Sequence, residues 1–295
     1  MRRVTVVGLG RIGGALALAL DRKGFQITNV VVRDTQTGAS VLERLALRSN
    51  PSVLSWPITE IIDTDILILS VRDPEIRGVA ENLAARVSEV KVALHTSGSL
   101  PSTEMESLSA AGLSIGSLHP LVSVSDPKSG ADSFNGAYFC IEGDATAVSA
   151  ASDIVAALEG NSFTIDTDLK PLYHASAVMS AGHVVALFDM AVEALSRCGV
   201  EDARRILLPL LASTTANLHG QPTDQALTGS FARGDHEAVQ AHIRALKDDL
   251  PIEVLETYLL LGRRSLDIAA RRGEDASADD DELRNVIKIA KESLQ

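Results

Sequence analysis

The residues whose types and spacing could do chemistry gather first at the start of the 295-residue chain. The β-branched run Val4-Thr5-Val6-Val7 breaks at Gly8 into Gly8-Leu9-Gly10-Arg11-Ile12-Gly13. Beyond it Ile12, Ala15, Leu16, Ala19 and Leu20 recur at helical spacing. Strand, glycine-spaced turn and helix in that order suit a dinucleotide phosphate. The first glycine makes the tight turn, the second lets the backbone approach a pyrophosphate, and the third lets the helix pack closely on the strand. The unbonded N–H groups and positive dipole end of that helix then face the phosphates. At the end of the next strand Arg33 stands beside Asp34. An arginine here accommodates the 2′-phosphate of NADP, whereas an acidic residue takes the ribose hydroxyls of NAD. Arg33 points to NADP, and Asp34 keeps NAD open. Two later strand ends, Ser70-Val71 and His95-Thr96-Ser97-Gly98, bring hydroxyls, an imidazole and a flexible backbone to the carboxyl edge of the sheet, where the nicotinamide ring would rest.

The elements that must position these residues alternate. Strands are read at residues 27–32, 65–70, 90–95, 114–118, 137–141 and 162–165, with helices near 39–47, 102–111 and 145–158. A further helix starts at Asp73-Pro74, with Asp as N-cap and Pro in the first helical position. Such alternation means an α/β fold of Rossmann type, with a mostly parallel sheet covered on both faces. At about Asp166 the texture becomes helical. Helices are expected at 173–197, 201–218, 236–246, 252–272 and 283–294, the last preceded by the acidic run Glu274–Glu282, whose Asp279–Glu282 end caps it. The expected layout is a dinucleotide-binding domain over 1–165 and an all-helical substrate and dimerisation domain over 166–295.

Composition narrows the partners. A net charge of −12 with a pI near 5.0 argues against nucleic acid or an anionic membrane, and 3% aromatics argues against base-stacking platforms. Cys140 and Cys198, far apart on apolar segments, read as buried free thiols in a reducing cytoplasm. No apolar run reaches the ~18 residues needed to span a bilayer. His183, His219, His236 and His242 form no metal-ligand pattern, so no metal is expected. No G-x-S-x-G lies between a strand and a helix, which argues against a serine nucleophile.

Several segments together resemble a known family: Gly8–Gly13, His95-Thr96-Ser97-Gly98, Gly116-Ser117-Leu118-His119-Pro120-Leu121, Tyr173-His174-Ala175 and Leu227-Thr228-Gly229-Ser230-Phe231-Ala232-Arg233-Gly234-Asp235. The set looks like the Rossmann-like NAD(P)-dependent oxidoreductases whose helical C-terminal half is a domain of unknown function. More distantly the layout is similar to the 6-phosphogluconate dehydrogenase-like group, which includes β-hydroxyacid dehydrogenases, ketopantoate reductase and pyrroline-5-carboxylate reductase. The resemblance implies nicotinamide-dependent oxidoreduction and pairing through helical domains, hence a homodimer. β-Hydroxyacid dehydrogenases begin their long interdomain helix with Lys-x-x-x-Asn, the lysine serving as general acid/base. Here the matching stretch is Lys170-Pro171-Leu172-Tyr173-His174, with His174 in place of asparagine. Spacing of four puts both side chains on one helical face, so either could be the proton donor. His119, after a strand end, is the next candidate. Arg233, framed by Gly229 and Gly234, suits a carboxylate, and with Thr228 would anchor it, while Ser97, Gly98 and His119 line the floor. The resulting expectation is an NADPH-preferring enzyme that reduces a small carboxylate-bearing carbonyl or imine, such as a 2-oxo or 3-oxo acid resembling ketopantoate. The alternative is an NADP-binding sensor or assembly protein without redox catalysis.

Overall fold

A computed structural model describes residues 2–272 and 278–292. The chain forms two compact units, Met1–Ala181 and Gly182–Gln295. The first unit carries ten strands: β1 (Arg3–Val7), β2 (Gln26–Val32), β3 (Ser52–Ser55), β4 (Ile62–Asp63), β5 (Ile66–Leu69), β6 (Val87–Ser88), β7 (Val92–His95), β8 (Ser114–Pro120), β9 (Tyr138–Gly143) and β10 (Asn161–Thr164). Its helices are α1 (Arg11–Arg22), α2 (Thr35–Leu45), α3 (Ile76–Ala84), α4 (Glu106–Ala110), α5 (Pro127–Asp132), α6 (Ala145–Ala157) and α7 (Lys170–Ser180). Eight strands make one sheet in the order β10-β9-β8-β7-β5-β1-β2-β3, while β4 and β6 pair separately. All its pairs are parallel except β8 with β9.

Both faces of this sheet are covered, as near-continuous apolar strands require. Val4, Val6, Ile66, Ile68 and Leu94 pack with Leu16 and Leu20 of α1 and Ile154 of α6. The alternate residues Val7, Leu67, Leu69 and Ala93 pack with Ile76 and Leu83 of α3 and Leu108 of α4. The period of two in each strand therefore feeds two cores. From β1 the sheet grows towards β2 on one side and towards β5 on the other, with Val7 opposite both Val31 and Leu69. At such a switch point the neighbouring connections leave towards opposite faces and open a crevice at the carboxyl ends.

The second unit is helical: α8 (Gly182–Arg197), α9 (Ala203–Gly220), α10 (Thr223–Ala226), α11 (His236–Asp249), α12 (Ile252–Ala269) and α13 (Ala278–Glu292). Its core joins Val239, Leu255, Leu259, Leu266, Leu283 and Ile287, from α11, α12 and α13. Of the acidic run, residues 274–277 lie outside the described residues, and Asp279–Glu282 fall inside α13 rather than ahead of it.

The structure corrects several expectations. The compact units divide at Ala181 rather than at residue 165, because α7 belongs with the sheet through the buried Lys170. The expected helix at 173–197 breaks at Ala181 (φ −125°, ψ −77°) into α7 and α8. The second helix begins at Thr35, directly after its Asp34 cap, rather than at residue 39. Cys140 is buried, but Cys198 is exposed at the end of α8, a helix with no buried residue. Residues 167–197 do include an 18-residue window long and apolar enough to cross a membrane, at mean hydropathy 1.5, with none of it buried. Interspersed polar residues such as His174, Ser176 and His183 break the run without lowering its mean enough.

Candidate functional site

Gly8 turns the chain out of β1 at φ +93°, and a Cβ there would lie 2.4 Å from the Ser70 carbonyl oxygen. A Cβ on Gly13 would lie 2.0 Å from the Gly8 carbonyl oxygen, so helix and turn touch backbone to backbone. A Cβ on Gly10 would meet nothing within 4 Å. Gly10 is the N-cap of α1, whose first turn has no acidic residue. Its early N–H groups have no intrahelical acceptors and face open space. Beside them lies a cleft of about 590 Å³ lined by Gly8, Gly10, Val32, Arg33, Trp56, Ser70, Val71, Arg72 and Glu75. A smaller cavity on the other side of the turn adds Leu9, Asp34 and Thr37. Arg11 is exposed and Ile12 packs against the core, so in this segment the backbone faces the cleft. Apolar walls, a backbone anion cradle and a polar rim fit a nicotinamide dinucleotide.

At the end of β2 the two cofactor-selecting candidates separate. Asp34 caps α2: its carboxylate accepts from the Gln36 N–H at 3.0 Å and from the Thr37 hydroxyl at 2.6 Å. Those bonds, the Thr37 hydroxyl first, hold it below the usual carboxylate range. The expectation that Asp34 could turn inward to a ribose is thus opposed by its helix cap. Arg33 lines the cleft with its side chain 65% exposed, and its guanidinium reaches Glu75. Arg72, on the far wall, donates to the same Glu75 oxygen, with Nε at 3.0 Å. In the sequence Arg72 belongs to the strand end Ser70-Val71-Arg72-Asp73, whereas Glu75 was not singled out. A cation and an acid three residues apart after a strand were the available signal.

The next strand ends are tied together. Thr96 donates from its hydroxyl to the Ser70 hydroxyl at 3.2 Å. His95 is fully buried. Its Nδ1 accepts the Ser97 N–H at 3.2 Å, which leaves the Nε2 hydrogen for the Pro101 carbonyl at 3.1 Å. Burial first, then the nearby Lys170 charge, pushes His95 down to about 4, so the imidazole is neutral. Asp73 accepts from both the Ser97 and Ser99 hydroxyls, at 2.9 and 2.7 Å. The Ser97 hydroxyl in turn accepts the Ser99 and Leu100 N–H groups.

Lys170 and His174 share α7 but not an environment. Lys170 has no exposed surface. Its ammonium donates to the Ser117 hydroxyl at 2.6 Å, the Ser97 carbonyl at 3.3 Å and Glu142 at 3.3 Å, which commits all three hydrogens. Burial pulls Lys170 below the usual lysine range, opposed by Glu142. Burial pushes Glu142 up, but Lys170, Ser102 and Ser117 outweigh it and hold the carboxylate low. This ion pair is enclosed by the protein. His119, near the end of β8, bonds the Tyr173 hydroxyl through Nδ1 at 2.5 Å and packs edge-on to His174, with ring centroids 5.6 Å apart. A Cβ on Gly98 would lie 2.5 Å from His174 Nδ1 and 2.7 Å from His119 Nε2. Both imidazoles therefore converge on this glycine. His174 Nδ1 is buried with no hydrogen-bond partner among the described residues. Such an atom costs roughly 1–3 kcal/mol and is tolerated mainly where function needs it. Burial first, then the His174 and Lys170 charges, pushes His119 down to about 4.

Thr228 and Arg233 lie in the second unit, both exposed. Gly229 and Gly234, at φ +98° and +71°, supply the left-handed turns that frame them. Arg272 holds the segment through the Asp224 and Leu227 carbonyls at 2.8 and 2.6 Å, and Asp235 caps α11. Arg233 has no ion-pair partner among the described residues. No group of three or more His, Cys, Asp or Glu that could hold a metal ion occurs among the described residues.

The fold and this crevice place the first unit in the Rossmann class of α/β folds. Residues 1–120 match the Rossmann-like domain, and residues 137–265 match DUF2520, a domain of unknown function. The chain thus joins a Rossmann-like domain to a DUF2520 domain, as its motifs implied. None of the curated proteins matches it in sequence. Among solved structures it is similar to a Bacteroides fragilis protein provisionally assigned as an NADP oxidoreductase, at 22% identity and TM-score 0.73, over 90% of this chain and 98% of that one. Protein TM1727 from Thermotoga maritima is similar at 19% identity and TM-score 0.72, over 92% and 100%. An imine reductase from Streptomyces aurantiacus is similar at 16% identity and TM-score 0.64, over 93% and 100%. At these identities the likeness is one of fold.

Proposed function

We propose that this protein is an NADPH-preferring oxidoreductase that reduces a small carbonyl or imine compound bearing a carboxylate. The observation that carries the reading is the division of labour at the end of β2: Arg33 lines the cleft while Asp34 is committed to capping α2. A bound reduced nicotinamide supplies hydride. The chain supplies the backbone cradle at Gly8–Gly13, the apolar walls and a proton. His174 is the proposed proton donor. His119 Nδ1 is tied to the Tyr173 hydroxyl, whereas His174 Nδ1 lies buried beside Gly98 with no protein partner among the described residues. Lys170 is a positioning residue, since its hydrogens already hold Ser97, Ser117 and Glu142. The imine reductase likeness supports including imines among the substrates.

Calorimetric titration tests the cofactor. NADPH should bind about tenfold more tightly than NADH, and Arg33→Ala should remove the difference with little change for NADH. A panel of oxo acids and cyclic imines then tests turnover, with His174→Asn lowering kcat by about 10²-fold or more. Equal affinities overturn the NADP assignment. Tight NADPH binding with no oxidation across the panel favours a nucleotide sensor instead.

We also propose that α8 and α9 pair with a second copy of the chain. No residue of α8 is buried and only Ala203 of α9 is, although Val185, Ile206 and Leu210 are 69%, 56% and 64% exposed. Apolar helical faces of this extent are uncommon on monomers, and a self-complementary helical face suits a two-fold partner.

A further inference from the structure

The two arginines of the cofactor cleft converge on one acid. Glu75 follows Asp73-Pro74 in a short turn of 3₁₀ helix, Asp73–Glu75, after β5, and a single oxygen of its carboxylate accepts from both Arg33 and Arg72. The two cations come from opposite walls, one from the end of β2 and one from the loop after β5, and all three residues line the cleft. The guanidinium groups are 65% and 77% exposed at the side chain, whereas Glu75 is 23% exposed. The carboxylate is therefore the inner member of the cluster and the cations are its solvent-facing arms. Two guanidinium groups sharing one oxygen leave most of their donors unused. Arginine offers five N–H groups in a fork, enough to grip a phosphate while keeping a carboxylate.

We propose that Arg72 completes a two-arginine clamp for the ribose 2′-phosphate of NADP, and that Glu75 is an internal carboxylate competing for it. The proposal rests on the NADP reading above and extends it to two residues of the opposite wall. Glu75 neutralises one of the two positive charges, so a monoester dianion meets a site of net charge near +1 rather than +2. It has two consequences for binding. The acid holds the arginines extended across the cleft when no phosphate is present, and it limits how tightly the phosphate is held. NADH, with no 2′-phosphate, gains nothing from the clamp, so the triad sets the preference between cofactors rather than the affinity common to both. In this cluster Glu75 is both organiser and brake.

Calorimetric titration with NADPH, NADH and adenosine 2′,5′-bisphosphate reads the clamp without turnover. Arg72→Ala should weaken NADPH and the bisphosphate by about tenfold and leave NADH unchanged. Glu75→Gln keeps the shape and one acceptor but loses the charge. It should strengthen both 2′-phosphate ligands several-fold, with a steeper loss of affinity as salt rises from about 50 to 500 mM. Both residues sit at the surface of the cleft, and circular dichroism with a melting curve confirms that each variant is folded. A wild type preferring NADPH, with Arg72→Ala shifting NADPH and NADH alike, overturns the clamp and leaves the NADP reading standing on Arg33. Glu75→Gln that weakens the bisphosphate, or leaves it unchanged, overturns the role of competitor. A wild type that binds none of the three ligands overturns this inference and the cofactor reading together.

Discussion

Gly98→Ala isolates the geometry of the proton-delivery site, because the glycine owes its place to space rather than to backbone conformation. Its φ does not lie in the left-handed region where alanine is strained, so the substitution adds only a methyl group. That methyl carbon would lie 2.5 Å from His174 Nδ1, 2.7 Å from His119 Nε2 and 2.8 Å from His119 Cε1. Ordinary contacts between heavy atoms are about 3.5–4.0 Å, so the imidazoles must retreat by about 1 Å. His119 is held by Tyr173 at 2.5 Å, and Ser97, the residue before Gly98, is held through its backbone by His95 and Lys170 and through its hydroxyl by Asp73. Overpacking of this kind costs roughly 1–3 kcal/mol of stability. A displacement of about 1 Å in a group that delivers a proton costs on the order of 10²-fold in kcat. The assay is steady-state NADPH oxidation beside a melting curve and an NADPH titration, with Gly10→Ala as the counterpart. A Cβ on Gly10 meets no protein atom within 4 Å, so that variant should melt like the wild type and lose NADPH affinity instead. Gly98→Ala with unchanged kcat and unchanged melting would refute the packing argument and remove the two histidines from the site.

Two further predictions concern stability and assembly. His95 and His119 are pushed down to about 4, and an unfolded histidine titrates near 6.5. Between those values the unfolded chain binds more protons, so stability falls as pH drops through the window. His95 alone contributes a loss of about 2.5 kcal/mol by pH 4.5, with a smaller share from the less buried His119. Urea midpoints that stay level from pH 7 to 4.5 would contradict this burial. For assembly, light scattering should give twice the monomer mass, and Leu210→Glu should yield a folded monomer; a wild-type monomer across the micromolar range rules the pairing out.

The parts of the site legible in the sequence are those with a local signal. Gly8 and Gly13 stand where backbone contact demands a glycine and Gly10 where the start of α1 opens on the cleft, and strand runs ending near Ser70 and His95 brought their loops to one sheet edge. Arg33 and Asp34 follow β2 as read, but the helix cap that divides their labour formed no part of that reading. The Asp34-x-x-Thr37 pattern is a cap signature, and reading α2 from Thr35 would have committed the acid. Glu75 is 3 residues from Arg72 but 42 from Arg33, so only half of its triad has a local trace. Lys170 was legible as the start of a helix. Its partner Glu142 arrives on β9, the strand that runs against its neighbour β8, and no local pattern announces that meeting.

Lys170 occupies a proton donor's sequence position, yet its ammonium spends all three hydrogens on protein partners. Its ammonium bonds the carbonyl of Ser97, the residue before Gly98, and shares Glu142 with the Ser102 N–H and hydroxyl just beyond the loop. The loop after His95 is therefore tied to the Lys170–Glu142 pair at its middle and just past its end, while His95 and Asp73 hold the Ser97 N–H, the Pro101 carbonyl and the Ser97 and Ser99 hydroxyls. A lone charge could not remain at such depth, and neither could a lone carboxylate; each is tolerated because the other is present and the leftover hydrogen-bonding capacity is met by serine hydroxyls. What this arrangement delivers is a rigid floor. Only on a floor that does not yield can a glycine hold two imidazoles at the distance of a missing methyl group, one of them with an unpartnered nitrogen. The proposed proton donor, His174, stands on that floor against His119 and Tyr173, and the buried ion pair helps to fix where the floor lies.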